Sequence, residues 1–277
     1  MSNQFKFGLL PDAAPIELLS ERWSYLEVPG HIHCAIELGE ERWNEIKAMY
    51  KNDGRPVPSS SHLLPGSYAS GPSYNREYVD FLLSVELRRM NELGVKYVGC
   101  YGDHFLCPEG FSRTKAMDQA LDSVNLMADY AEKYGMEIAL EPIGRTSNLF
   151  PKYIEGIEFA KECGRKNVKV MADMDYFAHL GQKFEDILVA PELCINAHIG
   201  GVGAQPGVVA KVGGISGEEH IKTLRHFFEV LREAGYDKGA TAACPWKPTN
   251  GAAEIDWKYE TDKTIDFLEA LRADVYK

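Results

Sequence analysis

Short apolar runs alternate with amphipathic helical stretches along the whole chain, and eight such pairs fit into 277 residues. A repeat of about 35 residues per unit is the spacing of a parallel (β/α)8 barrel, because parallel strands need a helical crossover between them. The predicted strands are Phe5–Leu10, Tyr25–Val28, Val57–Leu63, Val95–Tyr101, Glu137–Ile143, Val168–Ala172, Leu193–Ile199 and Gly239–Cys244. The predicted helices include Ala14–Trp23, Glu40–Lys51, Asn75–Leu93, Lys152–Cys163 and Thr261–Leu271, with one more opened by the capping pair Ser216 and Glu219. The clearest helical face carries Met117, Ala120, Leu121, Val124, Met127, Ala128 and Ala131, and Gly135 ends that helix. No linker divides residues 1–277, so the expectation is a single-domain TIM barrel. A doubly wound sheet would usually place a glycine-rich loop after its first strand; here that strand runs into LLPDAAP.

The charge narrows the partners. With 30 Lys and Arg against 41 Asp and Glu, the net charge is −11, which repels a phosphate backbone and argues against nucleic acid. No apolar run reaches the roughly 20 residues that a membrane span needs. The N-terminus lacks the basic and apolar regions of a signal peptide. The six cysteines are scattered without a C-x-x-C pair, as expected of reduced thiols in a cytoplasmic protein.

The chemistry collects at strand ends. In EIALEPIG the apolar run stops on Glu141 and Pro142. A buried carboxylate without a partner costs several kcal/mol, so Glu141 needs either a partner or a function. The sixth strand ends in MADMDY, with Asp173 and Asp175; the seventh carries Asn196 and His198; the second carries Glu27, followed by His31 and His33. In a parallel barrel these ends ring one mouth. Strand alternation puts Glu141 and Ala139 on one inward face, and His198 and Asn196 on another; Ile138, Leu140, Ile195 and Ala197 then face the helices. Two carboxylates and an imidazole at one mouth suit a divalent cation. The alternative is a set of hydrogen-bonded polar caps on the barrel core.

The motifs WSYLEVP, LGVKYVGCYG, IALEPIG, VKVMADMDY, NAHIGG and AGYDKGATAACPW, in that order, resemble the xylose-isomerase-like barrels of the sugar phosphate isomerase/epimerase group. That group includes ketose 3-epimerases, hydroxypyruvate isomerases and inosose dehydratases. The resemblance implies one divalent metal held by Glu141, Asp173 and His198, and the carboxylate and imidazole donors favour Mn2+ over Mg2+, Co2+ or Zn2+. It also implies a fourth ligand, a Glu, where this chain has Ala243. Three readings of Ala243 stand open: a three-ligand site with water in the gap, a catalytically silent sugar-binding subunit, or an engineered Glu-to-Ala change.

The implied function is metal-assisted proton transfer beside the carbonyl of a ketose or keto-polyol, with Glu141 as the base. A lyase acting by β-elimination on an oxidised sugar is the runner-up, with His104 as its acid or base; a plain surface histidine is the alternative for His104. Tyr101 and Trp246 are candidates for stacking on a sugar ring or for packing at the mouth. Glu27 either contacts substrate hydroxyls or caps the structure. The resemblance implies an Arg after the seventh strand, where the chain offers Gln205 and Lys211, and residues 205–214 are read as a lid or an ordered loop. Assembly as a homo-oligomer or as one subunit of a complex is left open.

Overall fold

The computed structural model describes residues 4–12, 14–63, 68–101, 105–144, 147–200, 217–243 and 254–277. Strands β1 (Lys6–Leu10), β2 (Tyr25–Pro29), β3 (Ser59–Leu63), β4 (Tyr97–Tyr101), β5 (Glu137–Glu141), β6 (Val168–Asp173), β7 (Cys194–Ile199) and β8 (Gly239–Ala243) pair in chain order. All pairings are parallel, and β8 returns to β1 with Leu10 opposite Ala243, which closes the barrel. The helices are α1 (Gly39–Asp53), α2 (Arg76–Leu93), α3 (Arg113–Tyr134), α4 (Tyr153–Cys163), the short α5 (Met174–His179), α6 (Gly217–Glu233) and α7 (Trp257–Val275). Among the described residues, no helix is long and apolar enough to cross a membrane, and five cysteines are unpaired thiols.

The core has two layers. Ile138, Leu140, Val170 and Ala172 point outward and pack with Val124, Met127 and Ile157 of α3 and α4. Inside the barrel, Ala139, Met171 and Ile195 form a separate cluster against Tyr97. Of the predicted face of α3, Ala120, Val124, Met127, Ala128 and Ala131 are fully enclosed, whereas Met117 and Leu121 are partly buried at its edge, and Ala116 joins the buried set. Ser112 caps its start and Gly135, in the left-handed conformation, ends it.

Three expectations are corrected. Residues 14–23 do not form a helix; only Ile16–Leu18 makes a single 3-10 turn. The Ser20 amide bonds to Thr261 Oγ1 and its carbonyl accepts from Arg55, so long-range partners replace helical ones. The last helix starts earlier than Thr261, because the Asp256 side chain accepts from the Tyr259 amide and caps it there. Ile195 faces the barrel interior rather than the helices. Val170 pairs with Cys194 and Met171 with Asn196, so Ile195 is the extra residue of a bulge and alternation breaks there.

Tyr25 fills the lower barrel and bonds Thr241 Oγ1 at 2.8 Å. A Cβ on Gly8 or on Gly239 would overlap its ring, which accounts for glycine at both positions. Gly8→Ala is therefore expected to cost about 1–3 kcal/mol by overpacking. A thermal melt checks this; an unchanged melting temperature would show that the Tyr25 ring has room to move.

Candidate metal centre at the barrel mouth

Glu141 and Asp173 are the last residues of β5 and β6, and His198 lies opposite Asp173 in the β6–β7 register. Parallel pairing thus brings three residues far apart in sequence to one end of the barrel. One ligand atom from each of Glu141, Asp173 and His198 lies within 4.8 Å of the other two. His198 Nδ1 stands 3.7 Å from Asp173 Oδ2. The second Asp173 oxygen accepts the Asp175 backbone N–H at 2.7 Å, which fixes the carboxylate's orientation.

The other imidazole nitrogen is already used. His198 Nε2 is 2.6 Å from Glu27 Oε1. Glu27 Oε2 accepts from Ser59 Oγ at 2.7 Å, Thr241 Oγ1 at 2.9 Å and Asn196 Nδ2 at 3.2 Å. Glu27 is 0% exposed. It lies beneath the mouth with both oxygens engaged by protein donors. Its effect is to orient the ring so that Nδ1 faces Glu141 and Asp173.

The electrostatics follow from this arrangement. Burial opposes ionisation of Glu27, but His198 and the hydroxyl and amide donors outweigh it and hold the carboxyl at about 2. Burial likewise opposes charge on His198, and the Glu27 charge with bonds to Asp173 and Glu27 reverses that, so its pKa is raised. Glu141 is raised well above the ordinary range, first by burial and then by the nearby Asp173 and Glu27 charges against the pull of His198. A site with two carboxylates, one imidazole and an under-compensated buried acid fits a divalent cation in donor type and in charge.

The remaining expected residues are placed as follows. The Tyr101 hydroxyl bonds that of Tyr176 at 2.7 Å, and the Tyr101 ring lies 4.5 Å from the His62 ring. The His62 ring in turn lies 4.4 Å from that of His31, tilted by 56°. His31 and His33 lie in a π-helical turn, Gly30–Cys34, rather than in extended chain, and His33 turns away to bond Tyr50. His62 sits where β3 shifts register against β4, with φ of 57°. Sequence reading passed over this histidine; the polar run SSSH at a weak strand's end was the available signal. His104, Gln205, Lys211, Ser216, Cys244, Trp246 and the 205–214 loop lie outside the described residues.

The Glu27–His198 pair gives a pH-dependent expectation for cation-free protein. The Glu27 pKa is depressed from 4.5 to about 2, so its contribution is full above 4.5 and lost as pH falls towards 2. The His198 pKa is raised from 6.5, so its contribution is full below 6.5 and lost as pH climbs through the raised value. The pair therefore stabilises most between 4.5 and 6.5. Removing one partner by Glu27→Gln should cost about 3 kcal/mol there. Thermal unfolding in EDTA reads it; equal melting of both proteins would contradict the pairing.

Comparison with known proteins agrees with this fold. A family model described as xylose isomerase-like TIM barrel matches residues 24–271. No curated protein sequence matches the chain. Among solved structures, D-psicose 3-epimerase from Clostridium cellulolyticum H10, solved with D-tagatose, is 19% identical, with a TM-score of 0.74 covering 97% of this chain and 99% of that one. The 3-keto-D-glucoside 4-epimerase from E. coli is 17% identical, with a TM-score of 0.68 covering 98% of this chain and 100% of that one. The IOLI protein, solved with a zinc atom, is 16% identical, with a TM-score of 0.68 covering 98% of both chains. At these identities the structural likeness speaks for the fold, and the family match spans most of the sequence: the chain belongs to the xylose isomerase-like TIM barrels.

Proposed function

We propose that the protein is a divalent-metal-dependent isomerase or epimerase that moves a proton beside the carbonyl of a ketose or keto-polyol. The observation that carries this reading is the meeting of Glu141, Asp173 and His198 within 4.8 Å at the barrel mouth. Solved structures of the same fold include one epimerase with a ketose and one protein with zinc, which supports a sugar substrate and a bound cation. A cation held by the three residues would act as a Lewis acid on the carbonyl and its neighbouring hydroxyl. Manganese suits the mixed carboxylate and imidazole donors.

Glu141 takes the proton from the carbon beside the carbonyl. Its burial removes the water that would otherwise solvate and weaken the base. His198 is held by Glu27 and keeps one nitrogen turned to the site. The Glu141 carboxyl then returns the proton to the adjacent carbon, which completes an isomerisation with one base. Tyr101 and Trp246 form the sugar-ring contacts in this reading, Gln205 binds a hydroxyl, and the enzyme works in the cytoplasm.

Ala243 favours keeping a second reading. An alanine at the end of β8 offers no acid for proton return on the other face. A β-elimination needs one base and a departing group, with His104 as the acid, and so fits the same mouth.

One experiment separates these. Mn2+-loaded protein is incubated with D-psicose, D-tagatose, D-fructose and a keto-inositol in D2O, and products are followed by NMR and mass. Isomerisation or epimerisation is expected to give an isomeric product without loss of water, carrying deuterium beside the carbonyl to the extent that the Glu141 proton exchanges with solvent before its return, and Glu141→Gln to slow product formation by at least about a hundredfold. Loss of water would select the lyase. Ligand binding without product formation or deuterium exchange on any of them would leave a non-catalytic sugar-binding barrel.

A further inference from the structure

Among the described residues, the metal triad takes no ligand from β8. Between the ends of β6, β7 and β8 lies a cavity of about 80 Å³, lined by Asp173, Asp175, His198, Gly200, Thr241 and Ala243 among others. The alanine side chain leaves this space free. Its walls carry two carboxylates and an imidazole beside the apolar Leu10 and Ile199, and a space of this size with polar partners has room for water. A divalent cation with three protein donors fills its remaining positions with water.

Asp175 is built into this position. It stands two residues beyond Asp173 in the first turn of α5, and its own amide bonds Asp173 Oδ1 at 2.7 Å. That bond ties the two carboxylates into one turn. The Asp175 carboxylate lies flat against Gly200 at the end of β7, and a Cβ on Gly200 would overlap it. Glycine at position 200 is thus what lets a side chain from β6's end reach across β7. Asp175 is not a member of the group whose ligand atoms all lie within 4.8 Å of one another. Its place is one shell further out.

We propose that Asp175 is a positioning residue of the metal site: through water in the Ala243 cavity it anchors the cation on the side where no described residue supplies a direct ligand. The inference rests on the metal-dependent reading above. A hydroxyl of a bound sugar that displaces this water meets the same carboxylate.

Mn2+ alone is the probe, and its dissociation constant, measured by the paramagnetic resonance of free Mn2+, is the readout. Loss of an outer-shell partner weakens metal binding about ten- to hundredfold, and Asp175→Asn is expected to do so. Gly200→Ala, which displaces the carboxylate and keeps its charge, should weaken binding in the same direction and serves if Asp175→Asn folds poorly. Ala243→Glu fills the cavity with a direct ligand, so adding Asp175→Asn to it should change little. Wild-type affinity in both Asp175→Asn and Gly200→Ala would overturn the proposal. So would an Asp175→Asn effect that persists undiminished beside Ala243→Glu. If neither the wild type nor Ala243→Glu binds Mn2+, the metal reading itself falls and takes the proposal with it, a result distinct from the first two.

Discussion

The mouth of this barrel depends on a carboxylate that never reaches it. Glu27 is fully buried, and donors from β3, β7 and β8 converge on its two oxygens. Burying that charge is costly by itself, and four partners with good geometry offset the cost. The consequence lies one layer up. Because Nε2 of His198 is occupied below, Nδ1 is the nitrogen left to face Glu141 and Asp173. A buried polar anchor thus decides which atom a functional side chain presents.

Irregularities in the strands position the rest. The bulge between β6 and β7 lets Ile195 fill the barrel interior while Asn196 and His198 still reach Glu27. Strict alternation would have turned one of these residues away. A second irregularity, in β3 against β4, holds His62 in the left-handed region, beside His31 and Tyr101. The β3 irregularity lies at the mouth and the β7 bulge nearer the opposite end of the barrel, and each re-aims side chains as register shifts do.

Much of the fold was legible because its signals are local. The apolar stripe of α3 and its closing Gly135 state a helix without help from the rest of the chain. Glu141 was legible for a similar reason: a carboxylate that ends a buried strand contradicts its surroundings and asks for a partner. Residues 14–23 misled because their apolar spacing is helical, whereas their hydrogen bonds go to Arg55 and Thr261, distant in the chain. The early start of α7 turned on a single cap, Asp256.

By itself, then, the sequence determined the alternation of strands and helices, the acidic surface charge and the placing of Glu141, Asp173 and His198 at strand ends. These follow from periodicity and from residue type, which are properties of short segments. Only the tertiary structure decided that the three meet within 4.8 Å, that Glu27 serves His198 from beneath, and that Asp175 lies over Gly200 beside the space at Ala243. Each of those facts depends on the register between strands far apart in the chain, and register is set by barrel closure and by bulges that no local pattern announces.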